Sequence, residues 1–412
     1  MFPGKRLDLP NVPPETPSAA MRFVRLCGRA TLVPTMADAV SAAGVRLSAT
    51  DWRLVVHVAA NEGMLPLVFV HAARAGLLQA MPAETAQAMA DGYGQTLVNN
   101  RSLLGEQHAL VAALDARGLP AIPLKGLSLA ARYYDQIGMR PTSDIDLLVR
   151  RADMRRVDRT LREFGYRSLG GRATLWNFAA LLHGDLCYAS PKGAKLELHW
   201  ELTHRATYRA GLSVDRAWAA TRTTEVAGAP MRCLSVSDEL RFLCVHCTAG
   251  HQVVPAGMRL IWLVDIAQLL SSLPPRWSWQ AFLEETIALR LAMPVYLALG
   301  HCEAYLGIEL TPGALETLRD ASNAQQERDA WRFSAGSMFT VQGFRAHLSA
   351  ARSTTQVLAF LRGIVLPSPT WIRANYATRW NERDLPLWRA YAHFFTRLLK
   401  RLPELLPSKR AR

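Results

Sequence analysis

Two aspartates one residue apart, Asp144 and Asp146 in "TSDIDLLV", interrupt an otherwise apolar run. Side chains on a strand alternate faces. Both carboxylates therefore point one way, and Ile145, Leu147 and Val149 point the other way, into a core. Along an extended backbone the two carboxylates stand about 6–7 Å apart, within reach of one shared divalent ion. A second segment, "KLELHWEL", repeats the arrangement: Lys195, Glu197 and His199 share one face, opposite Leu196, Leu198 and Trp200. If the two segments are sheet neighbours with their apolar faces aligned, Glu197 joins the aspartates. Three carboxylates on one face repel each other unless a cation lies among them, and hard oxygen donors favour Mg2+ or Mn2+.

A D-x-D pair alone is a weak signal. The plainer alternative makes Asp144 a strand-start residue, pairs Asp146 with an arginine and leaves Glu197 simply exposed. The surroundings add weight to the metal reading. Lys125-Gly126 follows the apolar run "LPAIPL" and opens a helix, which brings backbone N–H groups and an ammonium to where a phosphate would sit. Gly126 lets a ligand approach the backbone closely. Arg140, just before the aspartate strand, either clamps a phosphate oxygen or pairs with Asp144. Lys125 is alternatively a solvated loop lysine. The candidate nucleotide-binding set is thus Lys125, Gly126 and Arg140; the candidate metal and catalytic set is Asp144, Asp146 and Glu197.

Positioning these residues takes a compact α/β unit. "LPAIPLKG" is a short strand, "LSLAARYYD" a helix, "TSDIDLLV" a strand and "ADMRRVDRTLREFGY" a helix between Asp153 and Gly165. "DLCYAS" and "AKLELHWEL" form paired strands around the turn "SPKG", and "TTEVAG" with "APMRCLS" extends the unit. Before it the pattern is helical: "ATDWRLVVHVAANEG" starts at Thr50 or Asp51 as N-cap, and "RSLLGEQHALVAALDARG" stops at Gly118. After it come "VSDELRFLCVHCTAG", "AGMRLIWLVDIAQLLSSL" and "WQAFLEETIALRLAMPVYLALGHCEAYLG", all with helical periodicity. The expected organisation is a Pro-rich disordered lead (1–20), an N-terminal helical region (21–118), an α/β core (119–235) and a C-terminal helical region with a basic tail (236–412).

Composition narrows the setting. Half of the 412 residues are hydrophobic and a fifth charged, as in ordinary folded soluble proteins. A formal net charge of +14 suits an anionic partner such as a nucleotide, a nucleic acid or an acidic membrane surface. Six scattered cysteines are too few for a disulfide framework and fit reduced thiols in the cytoplasm. No apolar leader or membrane-spanning run is present, so neither a signal peptide nor a transmembrane helix is expected.

"IPLKGLSLAARYYDQIGMRPTSDIDLLV" followed by "KLELHWEL" resembles the bacterial uncharacterised nucleotidyltransferase family of the DNA polymerase beta-like superfamily. The flanking "LVAALDARGLPAIPLKG", "LCVHCTAGH" and "RLIWLVDIAQLL" also resemble it, so the likeness spans about residues 50 to 300. It implies an α+β fold, with a polymerase beta-like core of a small mixed sheet and helices, flanked by helical regions. Asp144 and Asp146 match the superfamily's metal-binding pair, Glu197 its third acidic position, and Gly126 its Gly-Ser or Gly-Gly turn. Lys125-Gly126-Leu127 lacks the serine that often touches the triphosphate. The implied reaction moves a nucleoside monophosphate from an NTP to an unidentified acceptor hydroxyl with divalent metal, in a bacterial biosynthetic or modification pathway. The alternative is a catalytically inactive nucleotide- or partner-binding protein on the same fold. A D-x-D glycosyltransferase fits less well, because its nucleotide-binding strand–helix units should precede the motif and the first hundred residues look helical.

Two other groupings have bland readings. Cys244, His246, Cys247 and His251 have the spacing C-x-H-C-x-x-x-H, but two thiols one turn apart on an apolar helix suit a core better than zinc. His246 and Asp265 are read as interior polar residues bracing the catalytic face, and His199 as a group behind the carboxylates. "PLWRAYAHFFTRLLKRLPELL" is a basic amphipathic helix, better docked on the protein than lying on an anionic membrane. No interleaved aromatic–basic module points to nucleic acid.

Overall fold

The computed structural model describes residues 17–169, 184–250 and 258–324, with scattered positions between 354 and 396. Most of the Pro-rich lead, His251 and the greater part of the basic C-terminal helix lie outside the described residues. Of that helix, 391–396 is helical, with Phe394 buried, while Trp388 is exposed.

Among the described residues five α-helices come first: α1 (Ala19–Leu32), α2 (Ala37–Gly44), α3 (Ala49–Asn61), α4 (Leu65–Arg74) and α5 (Ala83–Asp115). The N-cap of α3 is Ser48, two or three residues before the Thr50 or Asp51 that the sequence reading offers. Ser48 Oγ accepts from the Asp51 N–H, and the Asp51 carboxylate accepts from the Ser48 N–H. Asp51 therefore closes a reciprocal capping box from inside the helix. Helix α5 is 33 residues long and begins well before the periodic stretch seen in the sequence.

The central unit follows the expected order. It contains β1 (Ala121–Pro123), α6 (Leu127–Tyr133), β2 (Asp144–Val149), α7 (Met154–Glu163), β3 (Arg167–Ser168), β4 (Asp185–Ala189) and β5 (Lys195–His199). The sheet order is β1-β2-β5-β4-β3, mixed, with β2 and β5 parallel and the other pairs antiparallel. Helix α8 (Val214–Ala219) leads to β6 (Arg222–Val226) and β7 (Ala229–Cys233), which form a separate two-stranded sheet instead of extending the first. Their tight turn uses left-handed backbone at Ala227 and Gly228, as two-residue hairpin loops require.

Among the described residues five further helices follow: α9 (Val236–Val245), α10 (Leu260–Ser271), α11 (Trp279–Ala288), α12 (Ala292–Leu306) and α13 (Ala314–Ser322). The sequence run 279–307 is thus two helices. The break falls at Arg290, whose φ of 58° cannot continue a right-handed helix.

The two faces of the main sheet have different fates. Ile145, Leu147, Val149, Leu196, Leu198 and Tyr188 pack with α5 and α7 in one apolar cluster. On the other face, Ile122 and Leu148 join a larger cluster shared by α1, α3 and α4 with α9, α10 and α12. Asp144, Asp146, Glu197 and His199 occupy the part of that face which these helices leave polar. The fold is mixed α+β, as expected. No described helix is long and apolar enough to cross a membrane. Cys244 and Cys247 are buried, and burial pushes both thiols up.

Candidate active site

Pairing of β2 with β5 sets Asp146 directly opposite Glu197, and Asp144 opposite Lys195. The β4–β5 hairpin turns tightly at 190–194, where the Ser190 carbonyl accepts from the Gly193 N–H and the Ser190 N–H donates to Ala194 O. This leaves β5 free to lie parallel to β2. One residue beyond β1, the Leu124 N–H donates to the Asp146 carbonyl, which delivers Lys125 to the acidic residues.

Asp146 is the buried centre of the cluster. Lys125 Nζ lies 3.2 Å from its Oδ1, and His199 Nε2 lies 2.9 Å from the same oxygen. Glu197 Oε2 is 3.9 Å from Lys125 Nζ and 3.6 Å from His199 Nε2, while its Oε1 is 2.5 Å from Lys195 Nζ. Lys195 Nζ is also 3.9 Å from Asp144 Oδ2. Asp146, Glu197 and His199 can each offer one ligand atom, all within 4.8 Å of one another. Two carboxylates and an imidazole at that spacing, with a third carboxylate beside them, fit a divalent ion.

The two aspartates differ electrostatically. Burial would push Asp146 up, but the Lys125 ammonium and the His199 hydrogen bond outweigh it and hold the carboxyl well below the usual range. Asp144 is pushed up to about 6 by burial and by the charges of Asp146 and Glu197, which Lys125 and Lys195 only partly offset. Burial works against the Lys125 ammonium, yet Asp146, Glu197 and Asp144 together raise its affinity for the proton. Cys187, paired opposite Glu197, is pushed up to about 11 by burial and the Glu197 charge, so it stays a neutral thiol.

Arg140 has a partner that neither sequence alternative supplied. Its Nε and Nη2 donate to the two oxygens of Asp265 at 3.2 and 2.7 Å, and the Tyr134 hydroxyl donates to the same carboxylate at 2.7 Å. Arg140 and Asp265 are both buried. The remaining Nη1 donates to Pro141 O and Thr142 Oγ1 and stands 3.7 Å from where a Cβ on Gly126 would be. Gly126 itself has φ 49°, a backbone state that disfavours any side chain there.

Residues 48–307 match a family model described as uncharacterised nucleotidyltransferase. The chain belongs to that family. Among curated proteins no match is found. Among solved structures the chain is similar to the antibiotic-resistance factor ANT(2'')-Ia, whose solution structure is described as revealing substrate-regulated conformation dynamics. The two are 18% identical, with a TM-score of 0.32, over 51% of this chain and 99% of that one.

Asp144, Asp146, Glu197 and Lys125 thus converge on one patch, with Gly126 at its edge. Arg140 lies under that edge, gripped from the C-terminal helices by Asp265. The sequence reading sets His199 behind the carboxylates, although its parity with Glu197 on β5 signals the shared face; the structure puts it in direct contact with Asp146. The Arg140–Asp265 pairing joins positions 125 residues apart, and no local pattern encodes it.

Proposed function

We propose that this nucleotidyltransferase moves a nucleoside monophosphate from an NTP to an acceptor hydroxyl, with Mg2+ or Mn2+ held by Asp144, Asp146 and Glu197. The reading rests on one observation above others: three carboxylates from two parallel strands meet on one face, with Lys125 among them. The acceptor oxygen forms a bond to the α-phosphorus, the bond from that phosphorus to the bridging oxygen breaks, and pyrophosphate leaves. A bound divalent ion neutralises phosphate charge and makes the acceptor hydroxyl easier to deprotonate.

The chain's own residues supply the rest. His199 holds Asp146 in one orientation through Nε2. Glu197 accepts the proton of the acceptor hydroxyl. Lys125, attached to the Gly126 turn, offers its ammonium to the transferring phosphates. Helix α6 has only seven residues, so its dipole adds little and the lysine carries most of the positive charge. The acceptor belongs to a bacterial biosynthetic or modification pathway.

A second reading, a nucleotide-binding protein without turnover, draws support from Lys125 and Lys195, which already neutralise much of the acidic charge. One experiment separates the two. Binding of each NTP is measured by calorimetry with Mg2+ and with EDTA, and transfer of labelled nucleotide to a mixture of acceptors is followed for wild type and Glu197→Gln. Metal-dependent binding with transfer falling about 100-fold or more in the variant is expected. Equal NTP affinity in EDTA would remove the metal site, and metal-dependent binding without transfer in any acceptor mixture would favour the second reading.

A further inference from the structure

The Lys125-Gly126-Leu127 turn carries no hydroxyl of its own. The structure brings one to it from another segment. Thr142, two residues before β2, lies across the turn: its Oγ1 is 3.6 Å and its Cγ2 3.4 Å from the Cβ position of Gly126. Any side chain at 126 would fill this space, and the positive φ there keeps it free.

Thr142 is held on three sides. The Asn99 side chain on α5 donates to its carbonyl at 2.7 Å. Arg140 Nη1 donates to its Oγ1 at 3.2 Å, and Arg140 is itself locked by Asp265 through Nε and Nη2. The preceding backbone is pinned by Asn100, which donates to the carbonyls of Ile137 and Arg140. A hydroxyl that accepts from a guanidinium still has its own hydrogen to donate. Among the described residues Thr142 Oγ1 donates to none, and the residue is only partly buried.

We propose that the Thr142 hydroxyl donates to a phosphate oxygen of the donor triphosphate at the Gly126 turn, oriented for it by Arg140 and Asp265. This rests on the nucleotidyl-transfer reading above. Thr142 lies on the Gly126 side of Lys125, while the ammonium of Lys125 reaches the carboxylates. A triphosphate contacting both therefore spans the turn. The guanidinium acts mainly through the threonine: its Nε and Nη2 are committed to Asp265, and it is buried.

The test uses the full chain, Mg2+ and inorganic triphosphate, which removes any influence of the base, alongside the four common NTPs. Thr142→Val keeps the branched shape and removes the hydroxyl; Thr142→Ser restores the hydroxyl in a smaller side chain. Calorimetry should show Thr142→Val binding Mg2+-triphosphate about tenfold more weakly and Thr142→Ser binding within about threefold of wild type. Affinity for Mn2+ alone should be unchanged in both, because the hydroxyl is not among the ion's donors. Thermal melts check that each variant is folded. Thr142→Val binding triphosphate as wild type does, or Thr142→Ser losing as much as Thr142→Val, would overturn the hydroxyl's role and leave the donor reading intact. A wild-type protein that binds neither triphosphate nor any NTP in Mg2+ would overturn both.

Discussion

At the scale of single residues, Asp144 and Asp146 are chemically unequal although they share a strand face. Asp146 is buried against the Lys125 ammonium and the His199 ring, so its charge is compensated before any ligand arrives. Asp144 has Lys195 only at 3.9 Å and is crowded by two other acids. Substituting each by asparagine should therefore move stability in opposite directions. With metal chelated near neutral pH, Asp144→Asn relieves repulsion and should be equally stable or more stable by about 1 kcal/mol. Asp146→Asn leaves Lys125 short of its nearest anion and should cost about 2–4 kcal/mol. Both should lose most metal affinity. Urea unfolding in EDTA measures the first contrast, and two variants shifting together would show that Lys125 does not depend on Asp146.

Among the elements, the contact of α1 with α4 carries a pH-sensitive bond. His71 on α4 is buried and shares a 2.8 Å hydrogen bond between its Nε2 and Thr31 Oγ1 on α1. Burial, with Arg74 adding to it, lowers the His71 pKa to about 4 from an ordinary 6.5, against the opposing charge of Asp135. A histidine whose folded pKa is depressed takes up fewer protons folded than unfolded. Its stabilising effect is thus complete above pH 6.5 and is lost as pH falls from 6.5 toward 4. The shift corresponds to about 1–3 kcal/mol across that window. His71→Gln, which does not titrate, should flatten the fall in unfolding free energy between pH 6.5 and 4. Parallel curves for wild type and variant would show that the acid sensitivity arises elsewhere.

For the whole molecule, buried ion pairs tie the α/β centre to the helices that follow it. Arg140 bonds Asp265 on α10, and Arg132 on α6 bonds Glu239 on α9, both pairs almost fully buried. Such pairs contribute little net stability over an apolar replacement, but breaking one strands a charge in the interior. Asp265→Asn should cost about 3–5 kcal/mol, read by urea unfolding, and should weaken triphosphate binding because Arg140 no longer holds Thr142. A loss below about 1 kcal/mol would mean that water or another carboxylate replaces Asp265. The larger apolar cluster runs from α1, α3 and α4 through Ile122 and Leu148 to α9, α10 and α12. The polar patch thus lies on the same sheet face as a core shared by helices that precede and follow the α/β unit.

Much of the site was legible along the chain. The period-2 alternation in 144–149 and 195–199 already assigned the acids to one face, because a strand's side-chain direction depends only on local backbone geometry. The Lys-Gly turn and the "SPKG" hairpin are likewise short-range features. Three things needed the folded chain. Parallel pairing of β2 with β5 decided that Asp146 faces Glu197, since strand partners some 50 residues apart are chosen by how their apolar faces pack. The contact of His199 with Asp146 followed from that register. Arg140 found Asp265 because α10 packs beneath the 137–142 loop, where a buried guanidinium must meet an anion. Local sequence encodes which way a side chain points, but what it meets there depends on the packing of elements distant along the chain.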